Sequence, residues 1–347
     1  METEKFIRPA LLQRPIGDAQ ARRVRCLTCE RRCVLDPGDW GWCQTRKNHD
    51  GVLVTVTYGR VSGLFTNPIE KKPLYHFYPG SVALTAGSYS CNFSCPWCQN
   101  YHISKVPPAG GEFFSPARFV AQAINRQCQG TSISLNEPTL SLEWSLEVFR
   151  LARQAGLYNT FVTNGYMTTE ALERLAEAGL DAMNVDLKGS EEAVREYCQA
   201  EIEPVWRNLS RAQELGIWVE VTTLVVPGVS DDVETLAGIA GRLQRTLGPH
   251  TPWHVNRYYP AYRHRARPTP LHVLEQARSL ARDIGLRYVY IGNISGHFAE
   301  NTYCPSCGRM LVQRWGTGLV ASHVRNGRCP ECDTEISGQG WNWQVEG

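Results

Sequence analysis

The residues of this sequence that are best able to do chemistry are its cysteines, which fall into groups. The chain has 347 residues and thirteen cysteines. Eleven of these form two sets of four that flank one set of three: Cys26, Cys29, Cys33 and Cys43; Cys91, Cys95 and Cys98; and Cys304, Cys307, Cys329 and Cys332. Four thiolates complete a closed tetrahedral metal site, whereas three leave one position open for another ligand. The central set is therefore the candidate for catalysis.

The central set has the spacing CxxxCxxC, with Phe93 and Trp97 between the cysteines. A short loop of this kind can wrap an iron-sulfur cubane so that three thiolates reach three irons. The fourth iron is then left without a protein ligand. The alternative is a zinc site completed by a residue such as His102, although CxxxCxxC after a strand is not a usual zinc knuckle.

The two sets of four predict structural metal sites. The C-terminal motifs CPxCG and CPxC, with a spacer of about twenty residues, are typical of a zinc ribbon, and a mononuclear iron site of the rubredoxin type would use the same ligands. The N-terminal CxxCxxxC followed by Cys43 suits either zinc or an accessory iron-sulfur cluster. We favour zinc there, which would attach the N-terminal segment to the barrel that the central part of the chain is predicted to form. A second cluster would instead indicate an electron relay or a further substrate site.

Two cysteines lie outside these sets. Cys128 falls in a helical pattern and is interpreted as a small buried hydrophobic residue. Cys198, in REYCQAEIEP, follows the helix after the fourth strand and is a candidate reactive thiol of the pocket. The alternative for Cys198 is another buried core residue.

The elements that must position these residues alternate between β-rich and helical stretches from about Ser81 to Gly292, which predicts a parallel sheet of βαβ units. One helix is expected to begin at the Ser115 cap with Pro116 in its first turn. Six or seven such units favour a barrel or partial barrel over a flat doubly wound sheet. The motifs SYSCNFSCPWC, NEP, TNG, DLK, VPG and YYP each follow or close one strand at its C-terminal end, so we expect one shared pocket.

The composition is that of a globular protein with a sizeable core. Apolar residues make up 42% and charged residues 20%, and the formal net charge is +2, which gives no reason to expect nucleic-acid or membrane binding. The longest apolar run is too short to span a bilayer and the first residues lack a secretory signal, so we expect a cytoplasmic protein. Reducing cytosol favours metals or catalytic thiols over disulfides.

Many separate segments of the chain together resemble one family. They are RCLTCERRCVLDPGDWGWC, NPIEKKPLYHFYPGS, CNFSCPWCQNYHIS, NEPT, FVTNGY, NVDLKG, VEVTTLVVPG, PWHVNRYYP, YVYIGN and NTYCPSCG. The sequence resembles the radical SAM superfamily and, within it, the radical SAM enzyme of the AmmeMemoRadiSam system, a relative of pyruvate formate-lyase activating enzymes. The resemblance implies an α/β fold with a Cys-rich metal-binding segment at 1–75, a radical SAM partial (β/α)6-type barrel at 76–300 and a zinc-ribbon-like domain at 301–347.

The cofactors that the resemblance implies are a 4Fe-4S cluster on the central cysteines, S-adenosylmethionine (SAM), and zinc in the C-terminal set. In the superfamily the open iron binds the methionine end of SAM, and an electron from the cluster breaks the sulfonium C–S bond. The motif of Asn136 and Glu137 resembles one whose backbone helps hold the methionine amino group. Asp186 and Lys188 resemble the pair that grips the methionine head, and relatives carry a cysteine at the position of Cys198.

Further pocket residues follow from the same resemblance. Asn164 and the strand around Thr222 and Thr223 are expected to line the ribose and methionine side, and the segment from His254 to Tyr259 to approach the adenine. Relatives have a histidine in place of Tyr259. Tyrosine can still stack and hydrogen-bond, but it does not titrate near neutral pH.

The resemblance implies an enzyme that takes a hydrogen atom from an unidentified substrate, a protein among the candidates, with an external electron donor. A narrower alternative is activation of a glycyl-radical enzyme, and the family association suggests MEMO-type and AMMECR-type partners. An alternative of another class is a non-catalytic scaffold whose thiols all hold zinc. A scaffold would not require the NEP, TNG and DLK series.

Overall fold

Short antiparallel strands make up the first part of the chain. The computed structural model describes residues 4–18 and 20–342 of the protein. The early strands are β1 (Arg8–Pro9), β2 (Gln13–Ile16), β3 (Arg23–Cys26), β4 (Val34–Leu35), β5 (Arg46–His49), β6 (Val52–Thr55) and β7 (Arg60–Val61). β6 lies between β1 and β5, and β3 lies between β2 and β4. The β3–β4 hairpin brings the N–H of Cys26 to the carbonyl of Cys33 at 2.9 Å, so it joins two members of the N-terminal set.

The large sheet has eight strands and carries the functional residues. The strands that follow in the chain are β8 (Gly63–Pro68), β9 (Val82–Gly87), β10 (Glu112–Phe113), β11 (Gly130–Ile133), β12 (Tyr158–Thr163), β13 (Ala182–Asp186), β14 (Trp218–Val225), β15 (Trp253–Arg257) and β16 (Val289–Gly292). β10 pairs with β7 outside this sheet, and β8 pairs antiparallel with β9 at one edge. The other seven strands are parallel and lie in chain order.

The sheet is open. Within residues 4–18 and 20–342, β16 pairs with β15 on one side and with no strand on the other. The predicted α/β partial barrel is therefore confirmed, without closure into a full barrel. β8 lies inside the predicted N-terminal segment, 1–75, yet pairs with β9, so the large sheet begins before residue 76.

The helices connect the parallel strands. They are α1 (Tyr101–Ser104), α2 (Pro116–Asn125), α3 (Leu142–Gln154), α4 (Thr169–Ala178), α5 (Glu191–Ala193), α6 (Glu203–Glu214), α7 (Val233–Leu247) and α8 (Leu271–Ile284). α2 begins where the sequence predicts, because the Ser115 hydroxyl accepts a hydrogen bond from the N–H of Arg118 at 3.2 Å and Pro116 occupies the first turn. In the described part of the chain, no helix is both long enough and apolar enough to cross a bilayer.

The C-terminal domain docks on the segment between β8 and β9. It contains the antiparallel strands β17 (Thr302–Tyr303), β18 (Met310–Trp315) and β19 (Gly318–Ser322). Arg314 donates to the carbonyl of Tyr75 at 2.8 Å, and the His76 ring lies 2.6 Å from the carbonyl of Ser337. The N–H groups of Tyr75 and His76 in turn donate to Glu220 inside the large sheet, at 3.0 and 2.7 Å. This chain of contacts fixes the C-terminal domain to the parallel strands.

The N-terminal strands are attached to α3 through one buried ion pair. Arg46 Nη1 lies 2.6 Å from Glu143 Oε1, and the two side chains are 1% and 6% exposed. The N–H of Leu11 donates to the same carboxylate oxygen at 3.1 Å. Desolvation is costly for both charges, so each depends on the other.

We expect the Arg46→Leu substitution to lower the free energy of unfolding by about 3–5 kcal/mol, because it leaves the Glu143 carboxylate buried without its cation. Denaturant unfolding followed by tryptophan fluorescence measures the loss. The double variant Arg46→Leu/Glu143→Leu should lose less than the single one, since it removes both charges.

The matched control is Arg22→Leu, because the Arg22–Asp50 pair has side chains that are 54% and 66% exposed. An exposed pair contributes about 0–1 kcal/mol. A loss from Arg46→Leu that is no larger than the loss from Arg22→Leu would contradict the prediction.

Candidate functional site

One cavity lies at the C-terminal ends of the parallel strands, where the sequence predicts the shared pocket. Its volume is about 320 Å³, which is in the range of small-molecule sites. Every loop that carries a predicted motif from β9 to β13 contributes to its wall. The wall includes Cys91, Cys95, Cys98, Lys105, Asn136, Glu137, Asn164, Asp186, Lys188, Thr222, Asn256 and Asn293.

The loop after β9, called here the cluster loop (residues 88–100), is tied to the next strand by Asn136. The Asn136 side-chain oxygen accepts from the N–H of Ser88 at 2.8 Å, and its amide nitrogen donates to the carbonyl of Ser90 at 3.1 Å. Asn100 at the other end of the loop donates to the carbonyl of Leu135 at 2.7 Å. Both ends of the cluster loop are therefore held by the segment that follows β11.

Glu137 is the hydrogen-bond acceptor that joins two more loops. Its carboxylate accepts from the N–H of Thr139 at 3.0 Å, the hydroxyl of Thr163 at 2.7 Å and the N–H of Asn164 at 2.9 Å. Glu137 is 3% exposed. Burial raises the pKa of its carboxyl, although these hydrogen bonds oppose the rise. Glu137 thus positions the TNG motif rather than presenting a free carboxylate.

Asn164 reaches the cluster loop. Its amide nitrogen donates to Asn92 Oδ1 at 2.7 Å and lies 3.7 Å from the sulfur of Cys91. A donor at that distance can also hydrogen-bond a ligated thiolate. The structure therefore brings Asn164 to the first cysteine of the central set.

Two lysines place positive charge beside the central cysteines. Lys188 Nζ lies 2.8 Å from Asp186 Oδ2; burial alone would lower the pKa of Lys188, but this carboxylate raises it overall. Lys105 donates to the carbonyl of Phe93. Burial raises the pKa of the Cys98 thiol, and the charge of Lys105 partly offsets the rise. The sequence analysis missed Lys105; its place seven residues after Cys98 was the available signal.

The residues of the central set fit an iron-sulfur cubane better than a single ion. In the described residues, the C-terminal cysteines alone form a group of three or more thiol, imidazole or carboxylate ligands within 4.8 Å of one another. His102, the residue considered for a zinc site, is exposed on α1. The hydroxyl of Thr222 and the indole N–H of Trp97 are buried in the cavity wall without a partner, as expected where a ligand supplies one.

Three predicted cofactor residues lie away from the cavity. Thr223 is buried on the opposite face of β14, where its hydroxyl accepts from the indole of Trp253 at 3.0 Å. Of the two threonines predicted to line the pocket, strand alternation therefore leaves Thr222 in the wall and excludes Thr223. His254 lies 2.7 Å from Glu220 in a buried layer beneath the cavity. Tyr259 is 40% exposed and donates to the carbonyl of Asn293 at 3.2 Å. Asn256, which belongs to the predicted segment from His254 to Tyr259, lines the wall there, and so does Asn293, which the sequence analysis missed.

Cys198 does not reach the cavity either. It is 0% exposed, and its sulfur lies 3.3 Å from the sulfur of Cys95. It ends a π-helical turn, Val194–Cys198, that continues α5. The prediction of a reactive pocket thiol is therefore corrected: Cys198 supports the cluster loop from behind the cavity wall.

The C-terminal set forms a compact site. The sulfur atoms of its four cysteines all lie within 4.8 Å of one another, as the ligands of one tetrahedral ion do. Cys304 and Cys329 are buried, and Cys307 and Cys332 are exposed. This quartet can hold one metal ion.

The N-terminal set is looser. Cys26, Cys29 and Cys43 are 5–6% exposed and Cys33 is partly buried. Burial raises the pKa of the Cys29 thiol, and the neighbouring Cys26 and Cys43 raise it further. Cys29 thus has two other thiols of the set as neighbours, and binding of a metal there would require the thiols to lose protons.

Comparison with known proteins identifies the family. Residues 87–238 match the Radical SAM superfamily. An uncharacterized protein of Methanocaldococcus jannaschii is 40% identical over 335 residues, which are 95% of this chain and 99% of that protein. The protein belongs to the radical SAM superfamily and shares a family with this archaeal relative. That superfamily membership implies a 4Fe-4S cluster and SAM, which the central cysteines and the cavity fit.

Two further similarities agree. A second M. jannaschii protein, named for the activation of glycyl-radical enzymes, is 27% identical over 172 residues, 46% of this chain and 69% of that protein. The crystal structure of a radical SAM methyltransferase from Sphaerobacter thermophilus aligns with a TM-score of 0.51 at 13% identity, over 88% of this chain and 81% of that chain. The latter likeness shows the fold. The protein is accordingly an enzyme of the radical SAM type.

We expect Glu137→Gln to lower the free energy of unfolding by about 1–3 kcal/mol and to weaken SAM binding, because an amide nitrogen would face donors that now share a carboxylate. Urea denaturation and equilibrium binding of SAM measure the two effects. The matched control is Glu147→Gln, an exposed glutamate that accepts from the Tyr58 hydroxyl at 2.8 Å. Equal effects of the two substitutions would contradict the role of Glu137.

Proposed function

We propose that this enzyme cleaves SAM reductively at a 4Fe-4S cluster on Cys91, Cys95 and Cys98, and uses the resulting 5'-deoxyadenosyl radical to take a hydrogen atom from a substrate. The observation that carries the proposal is a cavity with three cysteines in its wall and a cation beside them. When bound, the cluster supplies one electron to the sulfonium, and methionine and 5'-deoxyadenosine are the final products of SAM.

The residues of the chain supply binding and orientation. Asp186 fixes the Lys188 ammonium, which can pair with the methionine carboxylate. The segment around Asn136 offers backbone groups to the methionine amino group, and Thr222 offers an unpartnered hydroxyl. The strand ends at Asn256 and Asn293 bound the far side of the cavity, where the rest of the nucleoside can lie.

Anaerobic reconstitution followed by dithionite tests the proposal. We expect about four irons with sulfide in addition to the metal of the C-terminal set, and formation of 5'-deoxyadenosine from SAM. Lys188→Met should weaken SAM binding by roughly tenfold or more, since a charge-assisted hydrogen bond contributes about 1.5–3 kcal/mol. Lys47→Met on the N-terminal strands is the control. No 5'-deoxyadenosine from protein with a full cluster would refute the reaction.

We also propose that the electron donor is an acidic protein that docks on the loop after β15. Arg263, Arg265 and Arg267 are exposed there, and none of them forms an ion pair with any other described residue. The N–H groups of Arg263 and His264 donate to the carbonyl of Pro96, at 2.9 and 3.0 Å. The basic loop therefore touches the cluster loop, where an acidic partner would be steered close to the iron.

The triple substitution Arg263→Gln, Arg265→Gln and Arg267→Gln should slow cluster reduction by a reduced flavodoxin about tenfold at low salt and flatten its salt dependence. Reduction by dithionite should change little. Stopped-flow absorbance measures both rates.

The control replaces three exposed arginines elsewhere, Arg14, Arg150 and Arg174, by glutamine, which removes the same charge. If the two triple variants slow the flavodoxin reaction equally, net charge and not this loop governs the encounter.

A second candidate is activation of a glycyl-radical enzyme, favoured by the similarity to the M. jannaschii protein named for that activity. A glycyl radical on a partner, detected by electron paramagnetic resonance after incubation with the reduced enzyme and SAM, would identify it. MEMO-type and AMMECR-type proteins stay the partners to try first, and zinc stays the proposed metal of the C-terminal set. Membership in an enzyme superfamily removes the reason to favour a scaffold.

A further inference from the structure

Cys198 is buried against a cysteine of the central set. The two sulfur atoms of Cys198 and Cys95 lie 3.3 Å apart, Cys198 is 0% exposed and Cys95 is 6% exposed. Cys95 lines the cavity, whereas Cys198 does not. The thiol of Cys198 therefore contacts the sulfur of Cys95 from outside the cavity.

The corner of the chain that carries Cys198 is anchored to the cluster loop. The carbonyl of Cys198 accepts from the N–H of Ser94 at 3.1 Å and from Arg31 at 3.3 Å. The hydroxyl of Ser94 donates to the side chain of Gln199 at 3.1 Å. A π-helical turn delivers the corner, and such turns are rare and occur often at functional sites. The contact between the two thiols is thus fixed by several bonds on both sides.

This placement makes Cys198 unsuited to two other roles. A radical or nucleophilic thiol must meet the substrate, and Cys198 is screened from the cavity by Cys95. A fourth ligand of the cubane must approach a different iron, and the thiolates on separate irons of a cubane diverge, whereas these two sulfur atoms are adjacent. The open iron is left open.

We propose that the thiol of Cys198 donates an S–H hydrogen bond to the sulfur of Cys95 and thereby raises the reduction potential of the cluster. This inference rests on the 4Fe-4S site of the proposed function. Hydrogen bonds to cluster sulfurs are among the factors that set the potential of iron-sulfur clusters. Reduction adds negative charge that the ligand sulfurs share, so a donor stabilises the reduced form more than the oxidised form. Cys198 is a positioning residue that acts through Cys95.

The test compares Cys198→Ala, which removes the donor, with Cys198→Ser, which keeps a hydroxyl donor. Cys128→Ala is the matched control, since Cys128 is a buried cysteine whose sulfur lies 3.9 Å from the carbonyl of Arg126. The midpoint potential of the reconstituted cluster is measured by electron paramagnetic resonance during a redox titration without SAM, together with iron per chain. This readout does not depend on turnover.

We expect Cys198→Ala to shift the oxidised-to-reduced equilibrium about tenfold toward the oxidised cluster, which is about 59 mV for a one-electron couple. Cys198→Ser should recover part of that shift, and Cys128→Ala should match the parent protein. Equal potentials for the parent and Cys198→Ala, each with a full cluster, would overturn the inference and leave the proposed function intact.

The Cys198→Ser variant keeps the inference testable if the alanine variant loses its cluster. If Cys198→Ala fails to hold iron, Cys198→Ser must still assemble a cluster, with a potential between that of the parent and about 59 mV below it. Loss of iron from both variants would contradict the hydrogen bond and indicate a ligand. Failure of the parent to cleave SAM, with the potential shift present, would refute the proposed reaction alone.

Discussion

The buried negative charge of three thiolates is the constraint on which the site depends. Burial raises the pKa of the Cys91 thiol to about 12, so the free thiol does not ionise at neutral pH. Ligation to metal must supply most of the energy that makes the thiolate of Cys91. Lys105 adds positive charge near Cys91, and Lys188 near Cys95, without coordinating anything. The protein thus compensates part of the negative charge of the thiolates with cations from two loops.

The loops around the buried thiolates hold one another in place through hydrogen bonds. The side chain of Asn136 hydrogen-bonds to the cluster loop, and the carboxylate of Glu137 accepts hydrogen bonds from the TNG segment. Asn164, once positioned by Glu137, reaches back to Asn92 and Cys91. In a buried polar network, each hydrogen bond fixes groups that the next one needs. Each motif therefore stabilises the conformation of its neighbours, and much of what looks like cofactor chemistry in a motif is positioning.

The sequence predicts the fold and the centre of the site well because both are periodic or clustered features. The alternation of strands and helices, the Ser115 cap and the spacing of the central cysteines can all be read locally. Register is harder: Thr222 and Thr223 differ by one residue, and the choice of face follows from pairing with β13 and β15. Cys198 could not be placed, because its contact with Cys95 spans 103 residues.

Polar contacts between residues far apart in the sequence also could not be predicted from the sequence. No local pattern pairs Arg46 with Glu143, which are 97 residues apart, and none assigns His254 to Glu220 beneath the cavity. These pairings arise because burial forces each charged or polar group to find a partner wherever the fold brings one. The residues that the resemblance assigned to the adenine side were therefore the hardest to predict. A histidine on a strand can hydrogen-bond inside a buried layer as readily as it can line a pocket.

The N-terminal cysteine segment acquires a role from its neighbours whichever metal it holds. Arg31, between Cys29 and Cys33, donates to the carbonyl of Asn92 at 3.0 and 2.8 Å. The hydroxyl of Ser90, next to Cys91, donates to the carbonyl of Cys43. The folded segment thus holds the cluster loop through residues that do not line the cavity. Because a metal among these thiols would order the segment, its binding would also stiffen the loop that carries the catalytic cysteines. The contact between this segment and the cluster loop is needed whether the bound metal is a structural ion or a cluster that relays electrons. The N-terminal cysteines therefore contribute to the site through their position, whichever metal they hold.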